Sequence, residues 1–260
     1  MFGYSIMIEQ LFYTELLQAE DIIMIELKGV TKIYGGKVKA LDNVSLSVND
    51  GCIYGFLGPN GAGKTTTIKL MTGIIKPDSG SILVNGLGAM TTQSKKNIGF
   101  VADDPNVFLR LKGIEYLSFM ADMYDVETAQ REQRISELGA RFEMSSALGD
   151  KIQSYSHGMR QKIVIMGALL HRPKVWILDE PMTGLDPKSS FELKKMMREH
   201  ADMGNTVFFS THVLEVAEKL CDKLAVISEG RILYAGDMAD LKKSADTSLE
   251  KMFLEMTENA

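Results

Sequence analysis

Between Gly58 and Thr65 the chain reads Gly-Pro-Asn-Gly-Ala-Gly-Lys-Thr, which fits G-x-x-x-x-G-K-[ST] at every fixed position. The chemistry requires that layout. Glycines let successive backbone N–H groups turn inward around phosphates, and a following helix adds the partial positive charge of its N-terminus. Lys64 then reaches the outer phosphates as a point charge, and the Thr65 hydroxyl is a ligand for Mg²⁺. The candidate nucleotide contacts are Gly58, Pro59, Asn60, Gly61, Ala62, Gly63, Lys64, Thr65 and Thr66. The motif alone implies nucleotide binding. It leaves kinases, GTPases and motor ATPases open.

A second constellation narrows the choice. Val175-Trp176-Ile177-Leu178-Asp179-Glu180 is an apolar run ending in two acids. At the carboxyl end of a parallel strand, Asp179 lies where ligands bind in open α/β sheets and can hold Mg²⁺ through water. Glu180 is placed to polarise an attacking water as general base. The bland alternative is a solvated acidic turn, which a nearby phosphate loop disfavours. Upstream lies Ser154-Tyr155-Ser156-His157-Gly158-Met159-Arg160-Gln161, followed by the apolar run from Ile163 to Leu170. Ser156 suits a helix N-cap. The segment reads either as a capped helix start or as a second phosphate site, with a serine, a glycine and a helix N-terminus facing an anion.

These residues need elements to hold them. Met24 to Val30 and Asp42 to Val48 alternate as strands, and Asn49-Asp50-Gly51 is a turn; together they predict an antiparallel sheet at the front of the domain. Cys52 to Leu57 is apolar throughout and suits a strand buried on both faces, followed by a helix from about Lys64 to Met71. Further buried strands are predicted at Val175–Leu178, Val207–Phe209 and Leu224–Ile227, separated by helical patterns, the signature of a parallel βαβ sheet. From about 105 to 170 no strand stands out. Ile114, Leu117, Met120 and Tyr124, then Ile135, Leu138 and Phe142, recur at helical spacing and read as core stripes of a helical insert. Met120, Met123, Met159 and Met166 read mainly as core filler, with an exposed Met cluster as a place for a partner helix.

With 260 residues, 45% of them hydrophobic and 24% charged, the chain can bury a core without disulfides or metals. The net charge of −5 argues against a nucleic-acid partner, since phosphate backbones require a cationic footprint. Cys52 and Cys221 sit apart in apolar stretches and read as reduced core thiols. The longest apolar run, Ile163 to Leu170, is far too short to span a membrane, and no secretory signal is visible. Any membrane work would need spans from another chain. Residues 1–23 read as an extension outside the core, either dispensable or a weakly amphipathic helix (Ile6, Leu11, Phe12, Leu16, Leu17).

Taken together, the motifs resemble the nucleotide-binding subunit of ATP-binding cassette (ABC) transporters, in order and spacing from about residue 24 to 236. Tyr155-Ser156-His157-Gly158-Met159 stands where that family carries its Leu-Ser-Gly-Gly-Gln signature. Gly184-Leu185-Asp186-Pro187 matches the loop after the acidic strand, Ser210-Thr211-His212 the switch histidine, and Tyr34 the aromatic that stacks on adenine. The Tyr-Ser-His-Gly-Met-Arg-Gln form and the Leu249–Thr257 tail resemble the bacitracin-resistance and antibiotic-export branch, whose ATPase chain pairs with a separate six-helix permease.

The resemblance implies an α/β fold: a P-loop NTPase core with a mostly parallel sheet, an N-terminal antiparallel β subdomain, and a helical subdomain at about 104–170. Residues 24–260 would form one domain. It implies ATP and Mg²⁺ as cofactors and a homodimer or heterodimer closing on ATP, with a separate integral membrane permease as partner. The chain would be cytoplasmic, peripheral on the inner face of the membrane. Ser156 and Gly158, with His157 between them, would meet the γ-phosphate of ATP bound by the other chain. Asp186 would connect the two sites, and His212 would contact the γ-phosphate in cis. His171 and His200 have no such support and are expected on the surface. Asp103, in Ile98-Gly99-Phe100-Val101-Ala102-Asp103-Asp104-Pro105, falls where the family has a metal-contacting glutamine. It reads either as a Mg²⁺ ligand or as the cap of the turn before Pro105, with Asp104 solvated. The rivals are a non-transport cassette ATPase, a P-loop kinase or GTPase, and a degenerate regulatory cassette. A single phosphate loop without sustained heptads, the signature, and the presence of both Glu180 and His212 weigh against them in turn.

Overall fold

In a computed structural model, residues 22–244, 251 and 253 are described. Alternation at the front of the chain gives β1 (Ile23–Tyr34) and β2 (Val38–Asn49), whose inward residues Ile25, Leu27, Val30, Leu41, Val44 and Val48 are buried. They pair antiparallel, and β4 (Ser79–Val84) and the short β5 (Leu87–Gly88) extend the sheet in the order β2-β1-β4-β5. Ile23 already pairs with Asn49, so β1 starts one residue before the expected Met24. The helical stripe expected at residues 6–17 lies outside the described residues, as does the 249–257 tail except for Lys251 and Phe253.

The second sheet has the order β10-β9-β3-β8-β7-β6. Its strands are β3 (Ile53–Leu57), β6 (Ile98–Val101), β7 (Val175–Leu178), β8 (Thr206–Thr211), β9 (Lys223–Ser228) and β10 (Arg231–Asp237). All neighbours are parallel except β10 against β9. The central strands are apolar throughout because both faces are covered. Trp176, Leu178, Val207 and Phe209 pack toward the helical side, while Val175, Ile177 and Phe208 pack toward the antiparallel sheet. β6 was not expected as a strand. Its four residues pair with all four of β7 and carry Asp103 to the same end of the sheet.

The helices are α1 (Lys64–Met71), α2 (Thr92–Lys96), α3 (Gly113–Met123), α4 (Thr128–Arg141), α5 (His157–Leu169), α6 (Pro187–Asp202), α7 (Leu214–Leu220) and α8 (Met238–Ser244). Between β6 and β7 lie α3, α4 and α5, with a 3-10 turn at Ile152–Ser154 and no strand. Arg141 of α4 ties this insert to the core through Glu192 (2.5 Å) and Glu199 (2.8 Å) of α6. Leu117, Ile135 and Phe142 are buried as expected, but Ile114 is exposed on the outer side of α3. Of the insert's methionines singled out above, Met166 is fully buried and Met123 exposed. Both cysteines are buried and free.

Two histidines depart from expectation. His171 stacks on Tyr124, with centroids 3.7 Å apart, and its Nε2 lies 3.2 Å from the Ile98 carbonyl. His200 meets Trp176 edge-on at 5.6 Å. Both were expected on the surface. Helix packing against aromatic partners covers them instead, and burial pushes each imidazole down to about 4.

Candidate functional site

Four adjacent parallel strands, β3, β8, β7 and β6, end on one side of the sheet, and the loops that leave them carry the candidate residues. The first is the phosphate loop between β3 and α1. Glycine is required at two of its positions. A Cβ on Gly58 would lie 2.3 Å from the Ile227 carbonyl oxygen. Gly63 has φ +109, and its Cβ would meet the Ala40 oxygen at 2.7 Å. The first hydrogen bond of the helix runs from Thr67 N–H to the Gly63 carbonyl, so the N–H groups of residues 64–66 are left to face the loop. Lys64, 6% exposed, donates through Nζ to the carbonyls of Gly58 (2.7 Å) and Pro59 (3.1 Å) and lies 3.4 Å from Glu180 Oε1.

Asp179 and Glu180 follow β7. Asp179 is buried; Glu180 is half-buried and has φ +47, in the left-handed region that a side chain rarely adopts. Ser210, near the end of the intervening strand β8, joins the two acids. Its Oγ donates to Asp179 Oδ1 (2.6 Å) and accepts the Glu180 N–H (3.0 Å). The sequence reading missed this role, because it depends on the register that sets Leu178 opposite Phe209 and so brings Ser210 level with Asp179. A serine near the carboxyl end of a strand otherwise wholly buried was the available signal. Two residues on, His212 Nδ1 lies 3.1 Å from Glu180 Oε2.

Asp103 leaves β6 and joins Ala40, Asn60, Gly61, Gly63, Lys64, Thr65, Thr66 and Glu180 around a cavity of about 230 Å³. Burial, together with the nearby charges of Asp179, Glu180 and Asp104, raises its carboxyl above the ordinary range, offset in part by His157. The turn before Pro105 is capped by Asp104, whose Oδ1 accepts from Asn106 N–H (2.9 Å) and Nδ2 (2.7 Å). The cap is therefore Asp104 and not Asp103, while Asp104 is exposed, as expected. Ala40 is a cavity residue that the sequence did not single out.

The donor set fits a magnesium nucleotide. N–H groups and a lysine face the cavity, and the Thr65 hydroxyl and the carboxylates offer the hard oxygens that Mg²⁺ prefers. Among the described residues no group of three His, Cys, Asp or Glu could hold a metal alone, as suits an ion whose other ligands are phosphate oxygens and water. Tyr34 ends β1, 41% exposed, with Lys32 Nζ 5.8 Å above its ring. It does not line the cavity; it starts the hairpin whose return strand brings in Ala40.

Ser156, His157 and Gly158 stand elsewhere. Ser156 caps α5, its Oγ accepting Met159 N–H at 3.2 Å. The His157 ring covers Gly184, and a Cβ on Gly158 would lie 2.8 Å from the Gly184 oxygen. Asp186 caps α6 by accepting from Ser189 N (2.9 Å) and Oγ (2.6 Å), and Lys162 of α5 approaches it at 3.3 Å. Those hydrogen bonds and that cation hold its carboxyl well below the usual range. None of the three signature residues lines the phosphate cavity of its own chain.

Comparison with known proteins agrees with this geometry. A family model described as ABC transporter matches residues 41–183. The linearmycin resistance ATP-binding protein LnrL of Bacillus subtilis (strain 168) is 34% identical over 220 residues, 84% of this chain and 70% of its own length. Across the curated relatives the matched stretch spans from 64% to 85% of their own lengths. Among solved structures, an ATP-binding subunit of an ABC transporter superposes with TM-score 0.85 at 30% identity, covering 90% of this chain and 99% of that one. A dimeric ATP-binding cassette in a post-hydrolysis state, bound to ADP and Pi, gives TM-score 0.76 at 25% identity, covering 83% and 99%.

Proposed function

The chain belongs to the ABC transporter family as its ATP-binding, ATP-hydrolysing component, and we propose that it drives a separate membrane permease, as an exporter, by closing as a dimer on ATP. The observation that carries this reading is a division of labour. The loops after four strand ends bring Lys64, Asp103 and Glu180 to one cavity, with Asp179 and His212 beside Glu180, while no signature residue lines it. A second chain is needed to bring such a turn to the phosphates. The dimeric cassette among the structural neighbours supports this, and the linearmycin resistance protein among the relatives supports export. No helix among the described residues is long and apolar enough to cross a membrane, so a permease on another chain fits, with this one peripheral on its inner face.

In the mechanism, Lys64 exchanges its carbonyl partners for phosphate oxygens, and the N–H groups at the start of α1 bind the same anion. Mg²⁺, when bound, neutralises charge developing on the phosphates; Thr65, Asp179 and Asp103 would hold it. Tyr34 stacks on the adenine. Glu180 takes the proton of the attacking water, and His212, 3.1 Å away, orients its carboxylate. Ser156 and Gly158 of the second chain close the far side, and Asp186 joins the two halves.

The test is Glu180→Gln in the purified chain. ATP binding is retained, turnover falls, and ATP-dependent dimers accumulate on a sizing column. Near-normal turnover with no dimer sinks both the base and the closure.

A further inference from the structure

Glu180 holds a left-handed backbone that is unfavourable for a non-glycine residue, and such strain persists only where the surroundings over-determine it. Its N–H is held by Ser210 Oγ at 3.0 Å, and its carbonyl accepts Thr183 N–H at 3.2 Å. The next carbonyl, that of Pro181, is held from a different element. Gln161 of α5 donates to it through Nε2 at 3.4 Å.

Gln161 is 1% exposed, and its Oε1 finds no hydrogen-bond partner among the described residues. A buried acceptor left unsatisfied is unfavourable, because it has given up water for nothing. An apolar side chain of the same length would remove that acceptor but leave the Pro181 carbonyl without its donor, so the amide is kept for that one contact. The contact belongs to a row. On one face of α5, at spacings of three and four, Gly158 presses on the Gly184 carbonyl, Gln161 holds the Pro181 carbonyl, and Lys162 approaches Asp186. This face grips the loop that begins at Glu180, and the helix begins at the signature turn.

We propose that Gln161 is a positioning residue for the hydrolytic step: by fixing the Pro181 carbonyl it sets the direction of the Glu180 carboxylate and ties it to the placement of α5. This rests on Glu180 being the general base.

Gln161→Met keeps the length and removes both the donor and the unsatisfied acceptor. In the purified full chain, kcat falls roughly tenfold or more, as expected for a misplaced reacting group. KM for ATP stays within about twofold, and the melting temperature changes little, since one unsatisfied buried acceptor, Gln161 Oε1, is exchanged for another, the Pro181 carbonyl. Gln161→Leu removes the donor by a different route and gives the same split, so it carries the test if the methionine variant does not fold. In a Glu180→Gln background, Gln161→Met leaves the residual turnover unchanged, because residues acting as a unit are not additive.

The proposal is overturned by a folded variant with kcat near that of the parent, or by a KM rise that accounts for the loss. An equal loss in the Glu180→Gln background overturns it too, and failure of both variants to fold assigns Gln161 to the core alone. Glu180→Gln by itself reports separately on the base: normal turnover there removes the premise, whatever Gln161 does.

Discussion

Asp179 and Glu180 follow a strand buried on both faces and Lys64 opens the helix after another, whereas Ser156, His157 and Gly158 stand at the exposed start of a helix in the insert. In the first region each group has several partners within the same chain. Lys64 reaches two carbonyls and Glu180; Ser210 bridges the two acids. In the second, the turn is organised by its own N-cap and by contact with the 181–186 loop, and the faces that could meet an anion remain open. The first region is pre-organised for chemistry in cis. The second has the fittings of a half-site that serves another chain.

Substitutions separate the two regions by the size and kind of loss. The largest effect is expected at Glu180→Gln, about two orders of magnitude or more in turnover with nucleotide binding kept; a steady-state ATPase assay beside an ATP-binding titration checks it. Ser210→Ala comes next. It removes both bridging hydrogen bonds from a fully buried position, and at about 1–3 kcal/mol turnover drops by roughly tenfold or more. An unaltered rate would mean the acids hold their places without the bridge. Tyr34→Ala removes a stacking face and raises the ATP dissociation constant about fivefold, with ATP-over-GTP preference barely moved. A large loss of selectivity would point to contacts with the base edge.

Asp103→Asn sharpens the cis side further. The magnesium concentration for half-maximal activity rises a fewfold, while Asp104→Asn, at the turn cap, leaves it unchanged. Equal magnesium curves for all three proteins would take Asp103 out of the site.

Remote from both regions, His200→Gln leaves turnover at neutral pH unchanged and alters only acid stability. The folded chain protonates His200 at about 4, below the ordinary 6.5 of an unfolded histidine. Its contribution is therefore complete above about pH 6.5 and declines as pH falls toward 4, by up to about 3 kcal/mol. The variant's melting temperature should fall less steeply over that window.

What could be read in advance divides along physical lines. The phosphate loop, the apolar central strands and the helical insert depend on local pattern, and Cys52–Leu57, Val175–Leu178 and the stripes around Leu117 and Ile135 carried it. What escaped depends on tertiary register. β6 is four residues with a glycine inside, too short for alternation to show. Ser210 acquires its role only through pairing of β7 with β8, and Gln161 only through the packing of α5 on the loop after Glu180. His171 and His200 are covered by Tyr124 and Trp176, partners distant in sequence.

The central claim is that one chain's phosphate cavity works with the other chain's signature turn, and mixing two inactive chains tests it most directly. Lys64→Ala disables the cavity, and Ser156→Arg blocks the turn; each protein alone is inactive. In a mixed dimer, one site combines both defects and the other combines neither. Mixing is expected to restore ATPase activity well above the sum of the two parents. Activity that stays at that sum across mixing ratios, with mixed dimers demonstrated, would contradict it.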